Sequence, residues 1–168
     1  MSILTPLFAG ILLLIGQTAP APTPTPLPRN PKLAAPDLEA AQAEAAASGG
    51  VNAELLYAAR LDAVQKGSFD SLIVIYARPV KGGKDYYAVI LREGGKLPLA
   101  IDKQGRALKA GDKFLRMGLK HEEGKSPILR LIASGVEPGK GEQQRNLDFR
   151  FNGTAFALET QSVVPLAK

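Results

Sequence analysis

The chain has no cysteine, no tryptophan and a single histidine among its 168 residues. Without thiols it has no disulfides and no thiolate metal sites, so the fold must hold by its own core. A lipoprotein is excluded as well, because no cysteine is available for acylation. Disulfides are permitted outside the cytosol and not required there, so their lack fits either compartment. One histidine cannot build a two-histidine metal site. Long hydrophobic runs are also missing. The run LFAGILLLIG at Leu7–Gly16 has ten residues, far short of the ~20 that a spanning helix needs. What is present is 45% hydrophobic and 22% charged. That balance excludes wholesale disorder and a polytopic membrane protein.

A short apolar run near the N-terminus reads as the core of a secretory signal, with Ala19-Pro20-Ala21 supplying small residues for cleavage. Two features work against cleavage. No Lys or Arg precedes the run, and Pro22 would follow a cut after Ala21. An uncleaved membrane anchor is the alternative, and a buried N-terminal element is the bland one. Residues 20–36 then hold seven prolines in near alternation, a pattern that favours a semi-stiff polyproline II spacer. A PxxP ligand is the functional reading of the same residues. The expected organisation is a signal or anchor at 1–21, a Pro/Ala-rich linker at 22–50 and a globular domain at 51–168.

Residues 37–47, DLEAAQAEAAA, predict a frayed helix or disorder. Leu38 is its only large apolar side chain, and Asp37 and Gly49-Gly50 are its candidate cap and stop. Residues 52–66 predict a firmer helix. Asn52 could cap it, Leu55, Leu56, Ala59 and Val64 fall near one face, and Gly67 ends it. A strand at 55–61 is the competing reading.

From residue 71 the pattern becomes that of strands. SLIVIYAR at 71–78 and DYYAVILRE at 85–93 form a hairpin about Gly82-Gly83. Both faces of this pair are apolar, which places it centrally and covered on each side. Further strands are predicted at 97–103, briefly at 107–109, at 114–119, at 127–133, at 146–151 and at 155–160. Leu147, Phe149 and Phe151 point inward in the strand at 146–151, and Asn152-Gly153 follows as a turn signal. About seven strands at short spacing predict a mainly β, α+β domain. It would be an antiparallel sandwich, curled sheet or small barrel with one N-terminal helix packed on it.

The chemistry-bearing residues do not assemble into a motif. His121 sits in Leu119-Lys120-His121-Glu122-Glu123-Gly124, a charged stretch that reads as a solvated turn. A hydrolase using His121 with a serine or carboxylate remains a formal alternative, but no GxSxG elbow exists. Gly118 to Ser126 resembles a phosphate-binding loop, yet five residues separate its glycines where four are required. Glu122 and Glu123 would also repel the phosphates. No calcium-loop pattern and no converging pair of carboxylates appears. The residues therefore call for no cofactor, no metal and no catalytic set. Asn152-Gly153-Thr154 is a glycosylation sequon by pattern, and the hairpin explains the same residues.

Charge is the remaining handle. The stretch 78–130 carries thirteen Lys or Arg against six Asp or Glu. Many stand at turns, among them Lys81, Lys84, Lys96, Lys103, Arg106, Lys109, Lys113, Lys120 and Lys125. Turns at one end of a sheet can cluster into a basic rim, and Lys81, Lys84, Lys120 and Lys125 are the candidates for binding an anionic partner. The plainer account is that turn lysines keep a β-protein soluble. Tyr86 and Tyr87 could stack bases, but they point to opposite faces, which disfavours nucleic acid. The sequence thus leads to an exported, non-catalytic β-rich domain, secreted or periplasmic, that binds a protein or envelope component. An anionic polymer or lipid surface is the alternative partner. A membrane contact through residues 7–16 is expected only if they stay uncleaved.

Overall fold

The computed structural model describes residues 33–64 and 67–166. The apolar run at 7–16, the cleavage signal and the spacer up to residue 32 lie outside them. Eight strands follow one helix, α1 (Ala35–Gly49). β1 (Glu54–Leu61), β2 (Ser71–Val80), β3 (Gly83–Arg92) and β4 (Gly95–Pro98) make one antiparallel sheet in chain order. β5 (Lys113–Lys120), β6 (Ile128–Glu137), β7 (Gly141–Phe151) and β8 (Phe156–Pro165) make the second, also in chain order. Every strand therefore pairs with its neighbour in sequence.

The two sheets face each other across one core. Ile73, Ile75 and Ile90 of the first sheet pack with Leu129, Leu131, Leu147 and Phe149 of the second. The crossover between β4 and β5 adds Leu99, Ala107 and Leu108 to the same cluster. Ala107 donates its N–H to Tyr86 O, and Leu99 donates to Ala88 O. The stretch at 107–109 is thus a loop, buried at Ala107 and Leu108 and exposed at Lys109, and not the short strand expected. The architecture is a two-layer sandwich of curled antiparallel sheets, without barrel closure.

β2 is apolar on both faces because both are covered. Its other face, with Leu72, Val74 and Tyr76, packs against Ala41 and Ala45 of α1, and Ala58 and Val89 complete this second cluster. The covering helix is α1 and not the helix expected at 52–66, where the chain forms β1 instead. β1 pairs with β2 from Glu54↔Ala77 to Leu61↔Ser71, with a bulge between Leu55 and Tyr57. Ala58 faces α1 while Ala59 and Leu61 enter the sandwich core.

α1 is longer and better anchored than its composition predicts. Pro36 lies in its first turn, where a missing N–H costs nothing. Asp37 is not the cap: it reaches across to Arg60 of β1 in a two-pronged ion pair at 2.7 and 3.0 Å. Glu44 binds Lys96 of β4 at 2.9 Å. The helix is therefore tied to both outer strands of its sheet. It ends at Gly50, whose φ of +87° suits glycine and whose N–H meets Ala46 O.

Asn152-Gly153 does join two strands, β7 and β8. Asn152 Oδ1 accepts from the N–H groups of Thr154 and Ala155, and Gly153 takes a φ of +105°. The side chain thereby substitutes for a backbone acceptor within the turn.

Candidate functional site

Strand register defines two ends of the sandwich. β1 ends at Leu61, beside the start of β2, and His121 after β5 lies 3.6 Å from Asp62 just beyond that end. Phe151 at the end of β7 lies near Arg92 at the end of β3. One end therefore carries the loops after β1, β3, β5 and β7. The other carries the β2–β3 and β6–β7 turns, the start of β1 and the crossover into β5.

The first end holds a cleft of about 700 Å³ lined by Val64 and residues 121–126. His121, read from the sequence as part of a solvated turn, stands against the buried carboxylate of Asp62. Asp62 also accepts the N–H of Gly67 at 2.7 Å. At 3.6 Å the His121 contact is an ion pair when the ring is protonated, too long for a directed hydrogen bond. Among the described residues no hydroxyl is hydrogen-bonded to the imidazole. Asp62 is far from His121 in sequence, and nothing local announces the contact.

The hub of this end is Glu122. Arg150 reaches it at 2.7 Å, Lys120 at 3.1 Å and Lys125 at 3.7 Å. Arg150 also binds Glu159 and the carbonyl of Ser126. Hydrogen bonds from Arg150 first, then Lys120, hold the Glu122 carboxyl at about 2, well below the usual 4.5. The resulting stabilisation is complete above 4.5 and disappears as pH falls through about 2. Glu122→Gln is therefore expected to melt at a lower temperature than the parent at neutral pH. The gap should be modest, because the hub is only partly buried and open to solvent screening, and should close in acid. Thermal melts across that range check it, and a constant gap would contradict the linkage.

The four candidate lysines do not form one rim. Lys120 and Lys125 meet at Glu122, at the cleft end. Lys81 and Lys84 stand at the β2–β3 turn on the opposite end, and Lys84 is paired with Glu54. Tyr86 packs against the sandwich core, and Tyr87 stacks on Tyr76 at 5.4 Å beneath the Arg78 guanidinium. The two tyrosines lie on opposite faces and both are partly buried.

The opposite end has a different charge pattern. Its acids are largely matched: Glu54 by Lys84, Asp85 and Asp102 by Arg78 and Arg106, and Glu137 by Lys140. Asp112 is matched by Arg145, whose Nε lies 3.0 Å from Oδ2 and 3.3 Å from Oδ1, with both side chains buried. Burial pushes the Asp112 carboxyl up, and the Arg145 charge pulls it back. Exposed Lys81, Lys103, Lys109 and Lys113 stand in no ion pair among the described residues, against Glu142 as the one unmatched acid there. Lys109 still feels the fields of Asp112 and Glu137.

Among the described residues no three metal-ligating side chains converge, and no helix is long and apolar enough to cross a membrane. Fold and surface together define a class: a two-sheet antiparallel sandwich with a helix on one outer face and two loop ends of unlike charge. No protein-family model matches the chain, and neither the search of curated proteins nor that of solved structures gave a match.

Proposed function

We propose that this protein is an exported, non-catalytic binding domain held on a proline-rich spacer, and that it engages a polyanionic surface. The apolar run at 7–16 with Ala19-Pro20-Ala21 supports export, and the seven prolines of residues 20–36 support the spacer. The observation that carries the binding reading is the set Lys81, Lys103, Lys109 and Lys113, which stand outside ion pairs at one end. Ion-paired lysines gain little from a new anion, whereas unpaired ones release counterions when they meet phosphates or carboxylates. The cleft end is the weaker candidate, because Lys120 and Lys125 already share Glu122.

Retention on immobilised polyphosphate tests this. It is expected to fall steeply between low and physiological salt. Changing Lys81, Lys103, Lys109 and Lys113 to Gln together should abolish it, while changing Lys120 and Lys125 should leave most of it. Retention that ignores salt, or that depends equally on both sets, would overturn the assignment.

A further inference from the structure

Seven large apolar side chains are exposed among the described residues: Val51, Phe69, Val80, Val136, Leu158, Val163 and Val164. Single exposed apolar residues are ordinary; their distribution here is not even. Five of the seven stand at the lysine end or in the strand segments that run to it. Val51 is 98% exposed in the turn between α1 and β1. Val80 is 39% exposed where β2 turns into β3, beside Lys81. Val136 is 76% exposed near the β6–β7 turn. Val163 and Val164 lie opposite Arg145 and Gln144, near the close of β8.

The β2–β3 hairpin there reaches beyond both of its flanking strands, whereas the β6–β7 hairpin reaches beyond β5 only, since β8 stays paired to Gln143 and Leu166 still donates to Glu142 O. β1 stops pairing at Ala77, and β2 runs on to Val80. β5 stops pairing at Ser134, and β6 runs on to Glu137. The turns at 80–83 and 137–141 are the two hairpin tips of this end, one from each sheet, the second flanked by β8 nearly to its turn. Each carries an exposed valine at or next to its turn, Val80 and Val136; Lys81 stands in the first turn itself, and Lys103, Lys109 and Lys113 belong to the crossover and the start of β5 at the same end.

We infer that this end docks on an anionic lipid bilayer, the two hairpin tips entering the interface while Lys81, Lys103, Lys109 and Lys113 meet the headgroups. The inference rests on the polyanion reading, which supplies the lysines, and goes beyond it through the valines. A soluble polyanion offers nothing apolar to receive exposed valines, whereas a bilayer offers both negative charge and hydrocarbon within a few ångströms.

The absence of cysteine allows a direct test. Val80→Cys, Val136→Cys and Phe69→Cys, each in the full chain, are labelled with a polarity-sensitive fluorophore. They are mixed with vesicles of phosphatidylglycerol and phosphatidylcholine, or of phosphatidylcholine alone. Labels at 80 and 136 should shift to the blue on the anionic vesicles only, and the label at 69, on the cleft end, should not. The triple change Val51→Ser, Val80→Ser and Val136→Ser should weaken vesicle binding by about tenfold or more while leaving polyphosphate retention intact. If polyphosphate retention follows the four lysines but the labels at 80 and 136 stay in water, the bilayer inference is wrong and the polyanion reading stands. If retention also fails, both are wrong. A blue shift at 69 alone would reverse the orientation and overturn the inference.

Discussion

Gly135→Ala is expected to cost about 3–5 kcal/mol of folding stability, read as a lower urea midpoint at unchanged slope. Gly135 lies within β6, where its backbone is extended and no positive φ demands glycine. The constraint is space. A Cβ built there falls 1.9 Å from Asp112 Oδ1, 2.8 Å from its Cγ and 3.4 Å from Arg145 Nε. The methyl group cannot fit unless Asp112 moves off Arg145, and both charges are buried. Separating a buried pair leaves each partner with its desolvation cost and no compensation. Asp112→Ala tests the same cause from the other side, because it frees the space but strands Arg145. It should be destabilising alone, and Gly135→Ala should add little on top of it. Fully additive losses would show that the clash has another origin.

The second large effect concerns α1. A chain beginning at Val51 should lose on the order of 5 kcal/mol or more, enough to leave a domain of ordinary stability largely unfolded. Deleting the helix uncovers Leu72, Val74, Tyr76 and Val89, all now buried against it. An alanine-rich helix of this length is close to break-even alone, so the sheet face it covers is the net gain from its docking. A chain beginning at Leu33 keeps the helix and should melt like the full protein. Equal melting temperatures for the two truncations would show that α1 contributes nothing to the fold.

These two cases also show where the sequence was legible. β2 and β3 could be read from their β-branched runs and their apolar faces, and strand spacing led to an antiparallel sandwich, curled sheet or small barrel without separating the three. The inward set Leu147, Phe149 and Phe151 came from plain alternation and sits in or against the core. β1 was harder. ELLYAARL is rich in helix formers, and the bulge after Leu55 breaks the alternation that marks a strand. Pairing with β2 and cover on both faces overrode that propensity. α1 was underrated for the opposite reason. Its stripe of alanines looks too small to bury, yet small side chains let a helix sit close on a sheet. The ion pairs Asp37–Arg60 and Glu44–Lys96 that hold it are long-range and leave no local trace.

The lysines could be counted but not sorted. Which of them are neutralised depends on Glu54, Glu122 and Glu137 reaching them in space. The pairing of Asp62 with His121 is of the same kind. Two ends of a sheet receive alternate turns, so residues as near in the chain as Lys113 and Lys120 arrive at opposite ends. A charge map drawn along the sequence merges what the fold separates.

Strand order has one more consequence, for how the chain folds. Each sheet is a simple meander, so all backbone pairing within it joins segments adjacent in the chain. Only the crossover from Leu99 to Asp112 spans the two halves. Loop closure is short for every hairpin, and the one long-range closure is the meeting of the two layers. The half that carries α1 can bury Leu72, Val74 and Tyr76 before that encounter, whereas the other half has no such cover and depends on its partner to hide Leu129, Leu131 and Phe149.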